Sequence, residues 1–241
     1  MRTAVVTGAS SGIGKELVLR LLKMNYRVIG ISRRVKDEDF NHKHFTPLQA
    51  DLSDKKSTLL ACKNLKNENI YILINCAGFG RFEPHEELDA KTITDMLFLN
   101  LTSPILLTNA LLRDLKSNDG YLININSIEA IRASKFAAVY SASKAGLKAF
   151  GDSLFEETRK SGLSITNINP DMTQTPFYDE LRFTTSDKDE EKLLASDIAD
   201  AVEHILKMRK GAVVSDYTIR SLKFGISKNK VNGKARENAL G

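Results

Sequence analysis

The sequence predicts a doubly wound α/β domain, a seven-stranded parallel sheet with helices on both faces. Short apolar runs rich in Val and Ile alternate with longer stretches of helical periodicity, the signature of repeated βαβ units. The first of these runs empties through three glycines, Gly8, Gly12 and Gly14, directly into a helical pattern, a sharp turn for which glycine backbones are suited. At 241 residues the chain fits one such domain and can bury a substantial core.

Taken in order, the apolar runs place strands near residues 3 to 7, 26 to 31, 46 to 50, 70 to 75, 121 to 126, 163 to 169 and 212 to 219. The periodic stretches place helices near 13 to 24, 54 to 66, 88 to 100, 102 to 116, 138 to 160 and 196 to 208. Leu107, Leu111, Leu112 and Leu115 recur at helical spacing and read as a stripe facing the core. The segment 171–195, after the strand end Asn167-Ile168-Asn169-Pro170, fits neither pattern. It leaves the carboxyl edge of the sheet, where such folds bind ligands, and is a candidate lid. Phe177, Tyr178, Leu181 and Phe183 either form its apolar underside or pack as core.

Composition narrows the function classes. Charge interrupts the longest apolar runs, so no membrane span is expected, and because the first residues read directly as a strand no secretory signal is expected either. Cys62 and Cys76 supply neither a disulfide framework nor a metal-ligand spacing, which suits a reducing cytoplasm. The net charge of +5 comes from the C-terminal tail, 220–241, where Arg220, Lys223, Lys228, Lys230, Lys234 and Arg236 stand against Glu237. With one aromatic, Phe224, this tail reads as a solvated basic end, and nucleic acid is not an expected partner.

The segment Gly8-Ala9-Ser10-Ser11-Gly12-Ile13-Gly14 has the chemistry of a phosphate cradle. Its glycines let backbone approach a ligand, and the helix that follows offers unpaired N–H groups and partial positive charge to a pyrophosphate. Ser127 and then Tyr140-Ser141-Ala142-Ser143-Lys144 form a second constellation, and Asn75-Cys76-Ala77-Gly78 a third. Together these motifs resemble the short-chain dehydrogenase/reductase family from Thr3 to about Ile219. The resemblance implies a Rossmann fold and a nicotinamide dinucleotide.

The second strand ends Ser32-Arg33-Arg34, without the acid that would accept from a ribose 2′-hydroxyl. One hydroxyl and two guanidinium groups suit a 2′-phosphate, so NADP(H) is expected, with Arg33 its main ligand; an exposed loop charge is the alternative. By the resemblance, Asp51 and Leu52 meet the adenine, although Asp51 or Ser53 could instead cap the next helix. Asn75, Ala77 and Gly78 line the crevice, with Cys76 in place of the family's second Asn. Pro170 and Thr175 reach the nicotinamide end, although Pro170-Asp171 replaces the usual Pro-Gly.

Tyr140 and Lys144 lie one turn apart on one helix face. A tyrosine ordinarily loses its proton near pH 10, so acid/base work at neutral pH needs about 4 kcal/mol of differential stabilisation, and a neighbouring ammonium acts in that direction. The resemblance makes Tyr140 the acid/base, Ser127 the group that polarises the carbonyl oxygen, Lys144 a ligand of the nicotinamide ribose, and Asn100 the residue that opens a helix around a water linked to the lysine. It implies interconversion of a small-molecule carbonyl and alcohol by a homodimer or homotetramer. The last strand, Asp216-Tyr217-Thr218-Ile219, without the frequent glycine pair after it, resembles the subgroup of serine and 3-hydroxy acid dehydrogenases. A non-catalytic NADP(H)-binding sensor is the alternative. Neither Glu129 and Arg132 nor the segment 171–195 spells out a substrate.

Overall fold

The computed structural model describes residues 1–229. Its sheet is built from β1 (Thr3–Thr7), β2 (Arg27–Ser32), β3 (Phe45–Gln49), β4 (Ile70–Asn75), β5 (Tyr121–Ile125), β6 (Ser164–Pro170) and β10 (Asp216–Ile219), in the order β10-β6-β5-β4-β1-β2-β3. All pairs are parallel. Every residue of β1, β4 and β5 is buried, because helices cover both faces and these strands have no solvent side.

Alternation along the strands sorts the core into two layers. Ala4 and Val6 of β1 join Leu17, Val18 and Leu21 of α1 (Gly12–Lys23) and Ile198, Val202 and Ile205 of α6 (Ala195–Lys207). Val5 points the other way, into the layer formed with α2 (Lys55–Asn64), α4 (Ser103–Ser117) and α5 (Ala138–Thr158). There Leu107, Leu111 and Leu115 are buried as the helical spacing predicts, with Leu112 partly buried against them. Cutting any one of the three to Ala should cost about 2–5 kcal/mol.

The structure departs from the sequence reading in four places. The helices expected at 88–100 and 102–116 form one rod, α3 (Ala90–Leu97) running through a π-turn at Phe98–Thr102 into α4. This rod is long and apolar enough to cross a membrane, but its stripe packs on the sheet. The last strand is only Asp216–Ile219.

The segment 171–195 carries local order: β7 (Thr173–Gln174) pairs with β9 (Leu193–Leu194), and β8 (Phe183–Thr185) lies between them in sequence. The tail is not simply solvated over its described part. β11 (Ile226–Lys228) pairs antiparallel with β8, Arg220 Nε donates to Asp171 at 3.3 Å, and Lys223 bridges Glu190. Lys230, Lys234, Arg236 and Glu237 lie outside the described residues.

Candidate active site

The order of strands reverses between β1 and β4, and the loops leaving their carboxyl ends open a crevice there. Gly8 (φ +72°) and Gly12 (φ +51°) adopt left-handed backbone. Thr7 ties the two loops together: its Oγ1 accepts from the N–H groups of Cys76 and Ala77 at 2.9 and 3.0 Å. Helix α1 begins after Ser11, whose side chain makes no cap hydrogen bond, so the first N–H groups of the helix have no side-chain acceptor. These features fit a pyrophosphate: bare backbone donors, a helix N-terminus and two glycines whose left-handed backbone turns the loop.

The crevice is a cleft of about 640 Å³. Gly8, Ser10, Ser11, Gly12, Ile13 and Gly14 form its middle. Ser32, Arg33, Arg34, Asp51 and Leu52 line one end, Ser127, Tyr140, Lys144, Pro170 and Thr175 the other, and Ala77 and Gly78 the wall beneath. Arg33 and Arg34 are exposed at the rim. Asp51 is held by Ser53, whose N–H and hydroxyl donate to it at 2.9 and 2.6 Å. Burial works against its charge, but these bonds and nearby Arg33 outweigh it and keep the carboxyl below its ordinary value. It is Asp54, not Asp51 or Ser53, that caps α2, accepting from Ser57 N at 2.7 Å.

At the other end α5 presents Tyr140 and Lys144 from one face, both buried. Lys144 Nζ donates to Ile125 O at 3.0 Å and stands 6.0 Å from the centre of the Tyr140 ring. Ser127 opens a short turn, its Oγ accepting from Glu129 N at 3.2 Å. Burial pulls Lys144 down to about 8 and pushes the Tyr140 phenol up, with the Ser127 hydroxyl acting against the latter shift. The sequence reading expects an acidified tyrosine; here burial outweighs the Ser127 hydrogen bond and shifts the phenol the other way. Burial also raises the Cys76 thiol to about 12.

Asn100 sits in the π-turn. Its amide brackets Phe79, accepting from Phe79 N at 3.1 Å and donating to Phe79 O at 2.9 Å. It donates again to Ser143 Oγ at 3.0 Å, which in turn donates to Tyr140 O at 2.7 Å. Asn100 therefore locks the loop after β4 to the helix that carries Tyr140, and does so from behind the cleft wall.

One expected contact is placed differently, and a second stands where expected with its hydroxyl also engaged within the chain. Asn75 does not line the cleft, because strand alternation turns it toward α4 and β5, where Nδ2 donates to Asn124 Oδ1 at 3.0 Å and lies 3.4 Å from Thr108 Oγ1. Thr175 lines the cleft, but its hydroxyl accepts from Phe177 N at 3.4 Å, and its methyl packs where a Cβ of Gly12 would lie. Asp171 needs no unusual backbone and is absent from the positive-φ residues; its carboxylate accepts from Met172 N and Arg220 Nε.

The sequence reading passed over a buried amide ladder. Asn167 Oδ1 accepts from Asn124 and Asn126 at 3.1 and 3.2 Å, and its Nδ2 donates to Asp152 Oδ1 at 2.8 Å. Alternating Asn residues inside the Ile-rich runs 121–126 and 163–169 were the available signal. Glu129, also buried, is matched by Arg132 Nε, Ser134 and Ser141.

A parallel sheet with a glycine cradle at its switch point defines a dinucleotide-binding Rossmann protein. Residues 2–185 match the short chain dehydrogenase family, and the chain belongs to that family of oxidoreductases. An alcohol dehydrogenase from Thermococcus sibiricus complexed with 5-hydroxy-NADP superposes with a TM-score of 0.83 at 23% identity, covering 93% of this chain and 99% of that one. A closed form of serine dehydrogenase complexed with NADP+ gives 0.78 at 21%, covering 90% and 94%. A 4-hydroxyisoleucine dehydrogenase complexed with NADH gives 0.79 at 22%, covering 92% and 97%. At these identities the likeness is one of fold.

Proposed function

We propose that this protein is an NADP(H)-dependent oxidoreductase that interconverts a carbonyl and a primary or secondary alcohol, with Tyr140 as general acid/base. The observation that supports it most is the convergence of Ser127, Tyr140 and Lys144 at one end of a cleft whose other end carries Arg33. The solved structures of similar fold were complexed with NADP+, 5-hydroxy-NADP or NADH, and exposed Arg33 and Arg34 favour the 2′-phosphorylated form here. When bound, the nicotinamide would supply the hydride acceptor or donor and, in its oxidised form, a positive charge.

The residues divide the remaining work. Tyr140 gives its proton to the carbonyl oxygen in reduction and takes it back in oxidation. Ser127 hydrogen-bonds the same oxygen and fixes it against the phenol. Lys144, held by the Ile125 carbonyl, has donors left for a ribose hydroxyl and favours the phenolate electrostatically. Asn100 positions the wall and the Tyr140 helix together. The cradle from Gly8 to Gly14 takes the pyrophosphate, with Asp51 and Leu52 at the adenine.

A homodimer or homotetramer formed through the helices of 88–116 and 138–160 belongs to the same reading, and light scattering in solution checks it. The deciding experiment is NADPH consumption over a panel of aldehydes and ketones, with NADH in parallel and Tyr140→Phe as the blank. Turnover that disappears in the blank supports the reading. Tight NADPH binding without turnover on any carbonyl would replace it with a nucleotide sensor.

A further inference from the structure

The end of the cleft that holds Tyr140 is walled by aromatic rings. The Phe82 ring centre lies 5.2 Å from that of Tyr140, and Phe177 lies 5.8 Å from it on another side. Phe183 packs edge-on against Phe82 at 5.1 Å and tilts against Tyr178 at 5.8 Å, while Phe177 meets Tyr178 at 5.1 Å. Gly80 makes this arrangement feasible. A Cβ there would lie 2.9 Å from both Phe177 and Phe82 and 3.2 Å from Tyr140, so the loop passes beneath the three rings without a side chain. Met96 and Val139 complete the apolar cluster around the phenol.

Three arginines around this end are already matched, and the remaining cation beside Tyr140, Lys144, is held by the Ile125 carbonyl and assigned to the ribose. Arg81 bonds Glu180 at 2.6 Å, Arg132 bonds Glu129 at 3.0 Å, and Arg220 bonds Asp171 at 3.3 Å. Glu129 and Asp171 are themselves buried, so these pairs hold their arginines inside the protein. A substrate carboxylate brought here would lose its water and find aromatic faces where no arginine is left to pair with it. An uncharged apolar group would instead exchange water for ring contacts.

Phe82 and Phe177 also meet edge-on at 6.5 Å, so Phe82 backs the wall while Phe177 and Tyr178 face the cleft. We infer that the substrate carries its reacting carbonyl on an uncharged apolar body seated against Phe177 and Tyr178 beside Tyr140, and that these two rings set the specificity by admitting such bodies and refusing carboxylate-bearing ones. This deepens the carbonyl–alcohol reading and rests on it for the position of the reacting oxygen.

The test compares a matched pair, 4-methylbenzaldehyde and 4-carboxybenzaldehyde, as substrates of the NADPH-loaded protein. The methyl compound should have the higher kcat/KM by at least about tenfold, the scale that apolar pocket contacts supply. Phe177→Ala and Tyr178→Ala should narrow that ratio by raising KM for the methyl compound, with NADPH affinity unchanged. Equal or faster use of the carboxylate by the unmodified protein overturns the inference, whether or not the variants fold.

Calorimetry of 4-methylbenzyl alcohol and 4-carboxybenzyl alcohol with the NADP+-loaded protein gives a readout that needs no turnover. Tighter binding of the uncharged alcohol, weakened in Phe177→Ala, supports the inference even if every carbonyl is inert, an outcome that would sink the hydride-transfer reading alone. Binding of neither alcohol, or preference for the charged one, overturns the specificity proposal itself.

Discussion

A Cβ added to Gly14 would lie 2.2 Å from the carbonyl oxygen of Gly8. The first turn of α1 thus rests directly on the backbone of the loop it cradles, and the obstructing atom is main chain that cannot swing aside. Gly14→Ala should destabilise the protein by about 1–3 kcal/mol and open the cradle. Thermal unfolding and NADPH titration would both register the change; an unshifted melting point with intact affinity would contradict the close packing.

Arg33 stands exposed at the far rim. Arg33→Ala should weaken NADPH by about 1.5–3 kcal/mol, the usual worth of a hydrogen bond to a charged group, and leave NADH nearly unchanged. Fluorescence titration with both nucleotides checks this, and equal losses would remove Arg33 from the 2′-phosphate.

Tyr140→Phe removes the acidic hydroxyl and keeps the ring that packs on Phe82 and Phe177. Cofactor affinity and stability should hold while turnover falls by about 10²–10⁴-fold. Rates comparable with those of the unmodified protein would exclude Tyr140 as the acid.

Burial lowers Lys144 to about 8, against an ordinary value of 10.5. Between these values the unfolded chain binds more protons at this position than the folded one, so its contribution to stability rises with pH across the window. Tyr140 and Cys76 are shifted upward, so they act in the opposite sense as the pH rises through their ordinary values, about 10 and 9. From pH 8 to 9 the native protein should therefore gain stability relative to Lys144→Met. Denaturant melts at the two pH values measure that difference, and parallel curves would argue against a buried charge.

Asn167 joins the central strands through Asn124, Asn126 and Asp152. Asn167→Leu strands several buried groups at once and should cost about 3 kcal/mol or more, since each unmatched group costs roughly 1–3 kcal/mol. Chemical denaturation gives the value, and a neutral substitution would mean that these amides find other partners.

The strands, the glycine turn and the leucine stripe of α4 were legible because each depends on local order: apolar period, the reach of a glycine backbone, the repeat of a helix. The spacing of Tyr140 and Lys144 was legible for the same reason. The joining of two expected helices through a π-turn was not, because it depends on Asn100 meeting Phe79, a contact across 21 positions. Nor was the inward turn of Asn75, which strand pairing decides.

By itself the sequence determined the kind of sheet, the glycine turn at its switch point and most of the residues that stand at the cleft, though not the inward turn of Asn75. Only the tertiary structure decided that burial raises the Tyr140 phenol, that Phe82 and Phe177 pack against it, and that β11 binds the segment beyond the sheet. Burial, ring packing and the pairing of distant strands depend on what surrounds a residue in space, and neighbours in sequence do not specify those surroundings.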